Sequence, residues 1–139
     1  MELSKLLANW APRALSVLRL FGGAQIVQHG SQKLFGLFGA QLPLPPTFSQ
    51  LWVGGVIEFF GGILLILGLF TRPAAFLLSG TLAVAYFQVH APKSFFPVVN
   101  GGDLAVIFAI VYLYLVFAGG GSWSLDAMLA ARKVAKTKE

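Results

Sequence analysis

The chain has 139 residues, 57% hydrophobic and 11% charged. So few polar residues cannot cover a water-soluble globule of that size, which points to an integral membrane protein. The absence of cysteine rules out disulfides, thiolate metal sites and dithiol redox chemistry, and the net charge of +5 sits at helix ends and in the tail, where it implies membrane topology and no nucleic-acid partner.

In chain order, hydropathy predicts four crossings, at about residues 12–35, 51–70, 73–90 and 103–118. Residues 1–11 are expected to lie on the membrane surface or to dock on the bundle, with Trp10 at headgroup level. On the first crossing, a period of about 100° per residue aligns Arg19, Gly22, Gly23, Ile26, Gly30 and Lys33 in one stripe, with His29 at its edge. Pro43, Pro45 and Pro46 then break the helix.

The second crossing places Glu58 alone in an apolar run, flanked by Gly54-Gly55 and Gly61-Gly62 on the same face. Thr71-Arg72-Pro73 predicts a tight turn, with Arg72 as an anchor at the inner surface. Ser79, Gly80, Ala83 and His90 share a register on the third crossing. Pro92, Pro97 and Gly101-Gly102 mark the next loop, and Asn100 or Asp103 is expected to cap the fourth helix. The tail, residues 125–139, reads as a short basic helix.

Together these elements predict one all-α domain over residues 1–139, an antiparallel four-helix transmembrane bundle. Lys5, Arg13, Arg72, Arg132, Lys133, Lys136 and Lys138 fall on one side against Lys33 and Lys93 on the other, which predicts that both termini are cytoplasmic.

An ionisable group deep in a membrane is costly unless paired, solvated or protonated, so Glu58 is the natural centre of a site. Depth along the helices allows one polar layer of Glu58, His29, Lys33, His90 and Asp103. Arg19 lies roughly 21 Å deeper than Lys33 and either snorkels to the inner side or stretches toward Glu58. The plain alternative is an ion pair that fixes helix register and nothing more. A b-type haem held by His29 and His90, and a metal held by these histidines with Glu58 and Asp103, are weighed and disfavoured. Phe95-Phe96-Pro97 is either a lid over the polar layer or an interfacial belt.

Leu18-Arg19-Leu20, His29-Gly30-Ser31-Gln32-Lys33-Leu34-Phe35-Gly36, Glu58 with Gly61-Gly62, Gly68-Leu69-Phe70-Thr71-Arg72, Asn100-Gly101-Gly102-Asp103 and Ser124-Leu125-Asp126 occur in that order. This succession resembles the DoxX family of small four-helix integral membrane proteins, over roughly residues 13–128. The chain departs from the family pattern at Asp103, where glutamate is usual, and at Gly119-Gly120-Gly121, where Gly-Pro-Gly is commoner and a looser exit turn is therefore expected.

The resemblance implies a multi-pass protein of the bacterial cell (inner) membrane. It further implies an accessory subunit of a membrane redox system, at most an oxidoreductase subunit, with redox partner subunits or further copies of itself as partners. Combined with the polar seam, it implies a quinone or another small apolar molecule bound in the outer half of the bundle. The alternatives are a non-enzymatic assembly or chaperone-like protein docking partner helices through its glycine faces, and a small transporter subunit.

Overall fold

The computed structural model describes residues 2–39 and 42–137, which form helices and their connections with no strand. Gln41, at the start of the proline-rich connection, and Lys138, counted above among the basic residues, lie outside the described residues. The helices are α1 (Glu2–Phe35), α2 (Gln50–Leu67), α3 (Thr71–Ala85), α4 (Pro97–Asn100), α5 (Asp103–Ala118) and α6 (Leu125–Lys136). A π-helical turn, Tyr86–His90, prolongs α3.

The first helix is longer than expected. It begins at Glu2 and carries Pro12 inside it, because residues 2–11 are mostly Leu, Ala, Glu and Lys, all good helix formers. Residues 2–14 are exposed. The Pro12 carbonyl accepts from Ser16 Oγ at 2.9 Å and from the Ser122 N–H at 3.2 Å, which ties this turn of α1 to the connection after α5.

Glycine determines how α1 meets α2. A Cβ on Gly30 would stand 2.5 Å from the Phe59 nitrogen and 2.8 Å from the Gly55 carbonyl, and one on Gly23 would stand 2.9 Å from the Gly62 carbonyl. Only hydrogen fits there, so the two antiparallel backbones touch. Such contact is how helices gain packing energy when burial from water no longer drives association. On the other side, α3 runs antiparallel to α5, with Ser79 Oγ donating to the Ala109 carbonyl at 2.8 Å. Leu65, Leu78, Tyr112 and Leu115, all fully buried, fill the middle, and the Tyr112 hydroxyl donates to the Gly22 carbonyl at 2.8 Å, joining α5 to α1.

The turn between α2 and α3 is three residues earlier than expected, at Gly68–Phe70, so that Pro73 lies within the first turn of α3. Gly68 closes α2 in the left-handed region (φ 66°), and the Leu69 N–H returns to the Leu64 carbonyl at 3.0 Å. Phe70 is also left-handed (φ 48°), a conformation that costs a non-glycine residue energy. The Asp126 carboxylate holds it, accepting from the Phe70 and Thr71 N–H groups at 2.9 Å each and so capping α3.

Gly102 rather than Asn100 or Asp103 is the residue that precedes α5, while the Asn100 side chain accepts from the Gly102 N–H at 2.7 Å and donates to the Ser94 carbonyl at 2.6 Å. Among the described helices, α2 is the one both long and apolar enough to cross a bilayer by itself, at 18 residues; α5 is apolar over 16.

Candidate functional site

Helical spacing and close packing together create the site. Lys33 lies one turn beyond Gly30 on α1, and Glu58 one turn beyond Gly55 on α2. Because Gly30 and Gly55 let the backbones touch, the two side chains that follow them are delivered to each other. Lys33 Nζ donates to Glu58 Oε1 at 2.5 Å. Glu58 is 1% exposed, whereas the Lys33 side chain keeps a quarter of its surface accessible. The other carboxylate oxygen, Oε2, is buried without any hydrogen-bond partner. An unsatisfied charged acceptor in a low-dielectric interior is expensive, and native structures rarely keep one without a use.

Beside this pair lies a cavity of about 420 Å³ between α2 and α3, to which Glu58 and Lys33 contribute wall. Most of the remaining wall is apolar, including Val53, Ile57, Leu77 and Val84. Two glycines keep it open: a Cβ on Gly80 would meet nothing within 4 Å, and one on Gly54 would meet only Thr81 Cγ2, at 3.9 Å. Where α2 begins, Gln50 Nε2 donates to Gln88 Oε1 at 2.5 Å and bridges the two helices across the cavity. An open-sided cavity of this size with apolar walls and a few convergent polar groups suits a small, largely apolar ligand oriented by its head.

The expected polar layer contracts to two members, Glu58 and Lys33. His29 is exposed and makes no hydrogen bond among the described residues, since one helical step of about 100° from Gly30 takes it off the packed face. His90 is half-buried; its Nδ1 lies 3.2 Å from the Asn100 carbonyl and its ring stacks on Tyr86. Asp103 is exposed in the first turn of α5, where a negative charge suits the helix dipole. No imidazole lines the cavity, which does not fit the haem b ligation weighed from the sequence. Among the described residues no three His, Asp or Glu side chains gather to hold a metal ion.

Arg19 takes neither expected course. Fully buried, it donates through Nε to the Gly120 carbonyl at 2.8 Å, through Nη1 to the carbonyls of Leu65 and Ile66, and through Nη2 to the Trp123 carbonyl at 2.8 Å. It thereby engages carbonyls in the last turn of α2, and its charge suits that negative helix terminus. Arg72 does the same for α5, donating to the Val116 and Phe117 carbonyls at 2.7 and 2.8 Å. The three glycines after α5 are not loose: a Cβ on Gly120 would lie 2.6 Å from Ser124 Cβ, and one on Gly121 would lie 2.4 Å from Ser16 Oγ. Phe95 and Phe96 are exposed and stand outside the cavity lining, so they do not form its lid.

Sequence reasoning missed Gln50, Gln88 and Thr81 as cavity residues. Gly54 and Gly80 were visible as members of small-residue stripes, but nothing local links Gln50 to Gln88, which are 38 positions apart.

A family model described as DoxX matches residues 14–91. An uncharacterized protein of Haemophilus influenzae is 41% identical over 130 residues, covering 86% of this chain and 93% of its own length. A second uncharacterized protein of that organism is 29% identical, covering 90% and 87%. The uncharacterized membrane protein Rv3486 of Mycobacterium tuberculosis is 28% identical, covering 94% and 90%. No solved structure matches.

Proposed function

The chain belongs to the DoxX family, and from that membership we propose a multi-pass membrane protein that holds a small apolar molecule, such as a quinone-like compound, with its head against the Glu58–Lys33 pair. In this reading α1, α2, α3 with its π-helical turn, and α5 cross the bilayer antiparallel, with both termini on the cytoplasmic face of the cell membrane. The protein then serves as an accessory subunit of a membrane redox system, a role that rests on family analogy.

The observation that carries the binding reading is an apolar cavity whose wall includes the Glu58–Lys33 pair, with the Lys33 side chain partly accessible. The outward faces agree with a lipid setting, since Phe21, Phe60, Phe76, Phe87 and Phe117 are all more than half exposed. The alternative, an assembly protein docking partner helices through its glycine faces, has less support, because Gly23, Gly30, Gly55 and Gly62 are already used in contacts within the chain.

The test is extraction. Protein purified without added ligand and extracted into organic solvent is expected to yield a lipophile in near-stoichiometric amount by mass spectrometry. Gly80→Phe, which fills the cavity from a position with open space around it, is expected to yield none. Identical extracts from both proteins would remove the binding reading.

A further inference from the structure

Of the Glu58–Lys33 pair, only the lysine keeps appreciable surface: its side chain is a quarter accessible, against 2% for the glutamate. The neighbouring glycines show where the pair lies. Gly55 and Gly62 pack on α1, whereas Gly61 packs on Leu78 of α3 and Gly54 faces Thr81, so Glu58, on the arc between the two sets, points into the seam between α1 and α3. Lys33 starts on the α1 side of that seam, its Cβ only 2.8 Å from where a Cβ on Gly55 would stand, yet it belongs to the wall of the cavity between α2 and α3. The part that reaches this wall is therefore the far end of the side chain, which carries the ammonium group. We propose that Lys33 fixes the head of the ligand, and that the cavity selects neutral lipophiles whose head carries a carbonyl-type acceptor oxygen over equally apolar molecules without one and over carboxylates. The inference rests on the binding reading above and narrows it.

An ammonium group carries three hydrogens and accepts none, so a head that meets it must bring a lone pair. Among the described residues Lys33 Nζ meets one acceptor, Glu58 Oε1 at 2.5 Å, which leaves it hydrogens to give. The other polar groups of the wall are engaged: the Thr81 hydroxyl donates to the Leu77 carbonyl, and Gln50 bonds to Gln88. Lys33 is the charged donor of the cavity, and a charged donor makes the stronger hydrogen bond. The charge of the head follows from the pair itself. Glu58 and Lys33 sum to zero, so a carboxylate head would add an unbalanced negative charge beside Glu58, where Val53, Ile57, Leu77 and Val84 offer no counter-charge. A neutral carbonyl gains the hydrogen bond without that cost.

The experiment compares three probes with one tail, 4-nonylacetophenone, nonylbenzene and 4-nonylbenzoate, in lipid nanodiscs holding the full chain. Empty nanodiscs correct for what the lipid takes up. Above neutral pH the ketone is expected to bind about tenfold more tightly than the hydrocarbon or the benzoate. With its carbonyl labelled with carbon-13, its infrared stretch is expected to move to lower wavenumber on binding, and an unshifted carbonyl overturns the proposal without recourse to a variant. Lys33→Met combined with Glu58→Leu replaces the pair by apolar side chains and strands no charge. This variant is expected to hold ketone and hydrocarbon alike, with no infrared shift; a ketone preference that survives in it overturns the role of Lys33. Equal binding of ketone and hydrocarbon by the native chain overturns the acceptor preference, and benzoate bound as tightly as the ketone overturns the preference for a neutral head. Each of these leaves the binding reading standing, whereas retention of no probe above empty nanodiscs removes that reading as well.

Discussion

At the scale of single residues, the ion pair is the clearest energetic statement the structure makes. Glu58 is 1% exposed, and its charge is offset by one contact, to Lys33 at 2.5 Å. Lys33→Met is therefore expected to destabilise the fold by about 3 kcal/mol, at the lower end for a broken buried pair because Lys33 is itself partly accessible. Glu58→Gln on top of it should recover much of that loss, since the stranded charge disappears. Thermal unfolding of the two single variants and the double variant in detergent micelles gives the coupling; losses that simply add would show that the side chains do not act as a pair. Arg19 is a different kind of buried charge, hydrogen-bonded to carbonyl oxygens around the end of a helix, with the Asp126 carboxylate attracting it from nearby.

At the scale of elements, glycines of similar appearance do opposite things. Gly30 is a contact glycine: an added methyl would press on the Phe59 nitrogen at 2.5 Å, and backbone cannot swing away as a flexible side chain can. Gly30→Ala is expected to cost about 2 kcal/mol and to part α1 from α2. Gly80 is a cavity glycine with nothing within 4 Å of its absent Cβ. Gly80→Ala is expected to be neutral or to stabilise by up to about 1 kcal/mol, because alanine favours helix. Melting both variants in the same micelles separates the classes, and equal losses would contradict the close α1–α2 contact. The stripes on the two helices were legible from a period of about 3.6 residues, but the class of each glycine was not, because it depends on what stands opposite.

At the scale of the whole molecule, the proposed topology puts both termini on one face of the membrane and the loop around Lys93 on the other. The chain lacks cysteine, so a single introduced thiol reports one position without background. Lys5→Cys and Lys136→Cys are expected to react with a membrane-impermeant maleimide from one face of the membrane, and Lys93→Cys from the other. Labelling of Lys93→Cys from the same face as Lys5→Cys would end the four-crossing reading. Much of the molecule was legible beforehand: the all-helical character from composition, the helices from hydropathy and proline breaks, the central carboxylate from its isolation among apolar residues, and the family from the order of its motifs. The Arg19 and Asp126 cap network, the tight glycine run at 119–121 and the Gln50–Gln88 bridge were not, because each joins positions far apart in the chain. By itself, then, the sequence determined that the protein is helical, that it is a DoxX family member and that Glu58 shares a face with glycines, because hydropathy, period and motif order are properties of neighbouring residues. That Lys33, and neither histidine nor Arg19, meets Glu58, and that a cavity opens between α2 and α3, emerges in three dimensions alone. Those outcomes depend on the rotation and depth at which helices pack, which no one-dimensional pattern records.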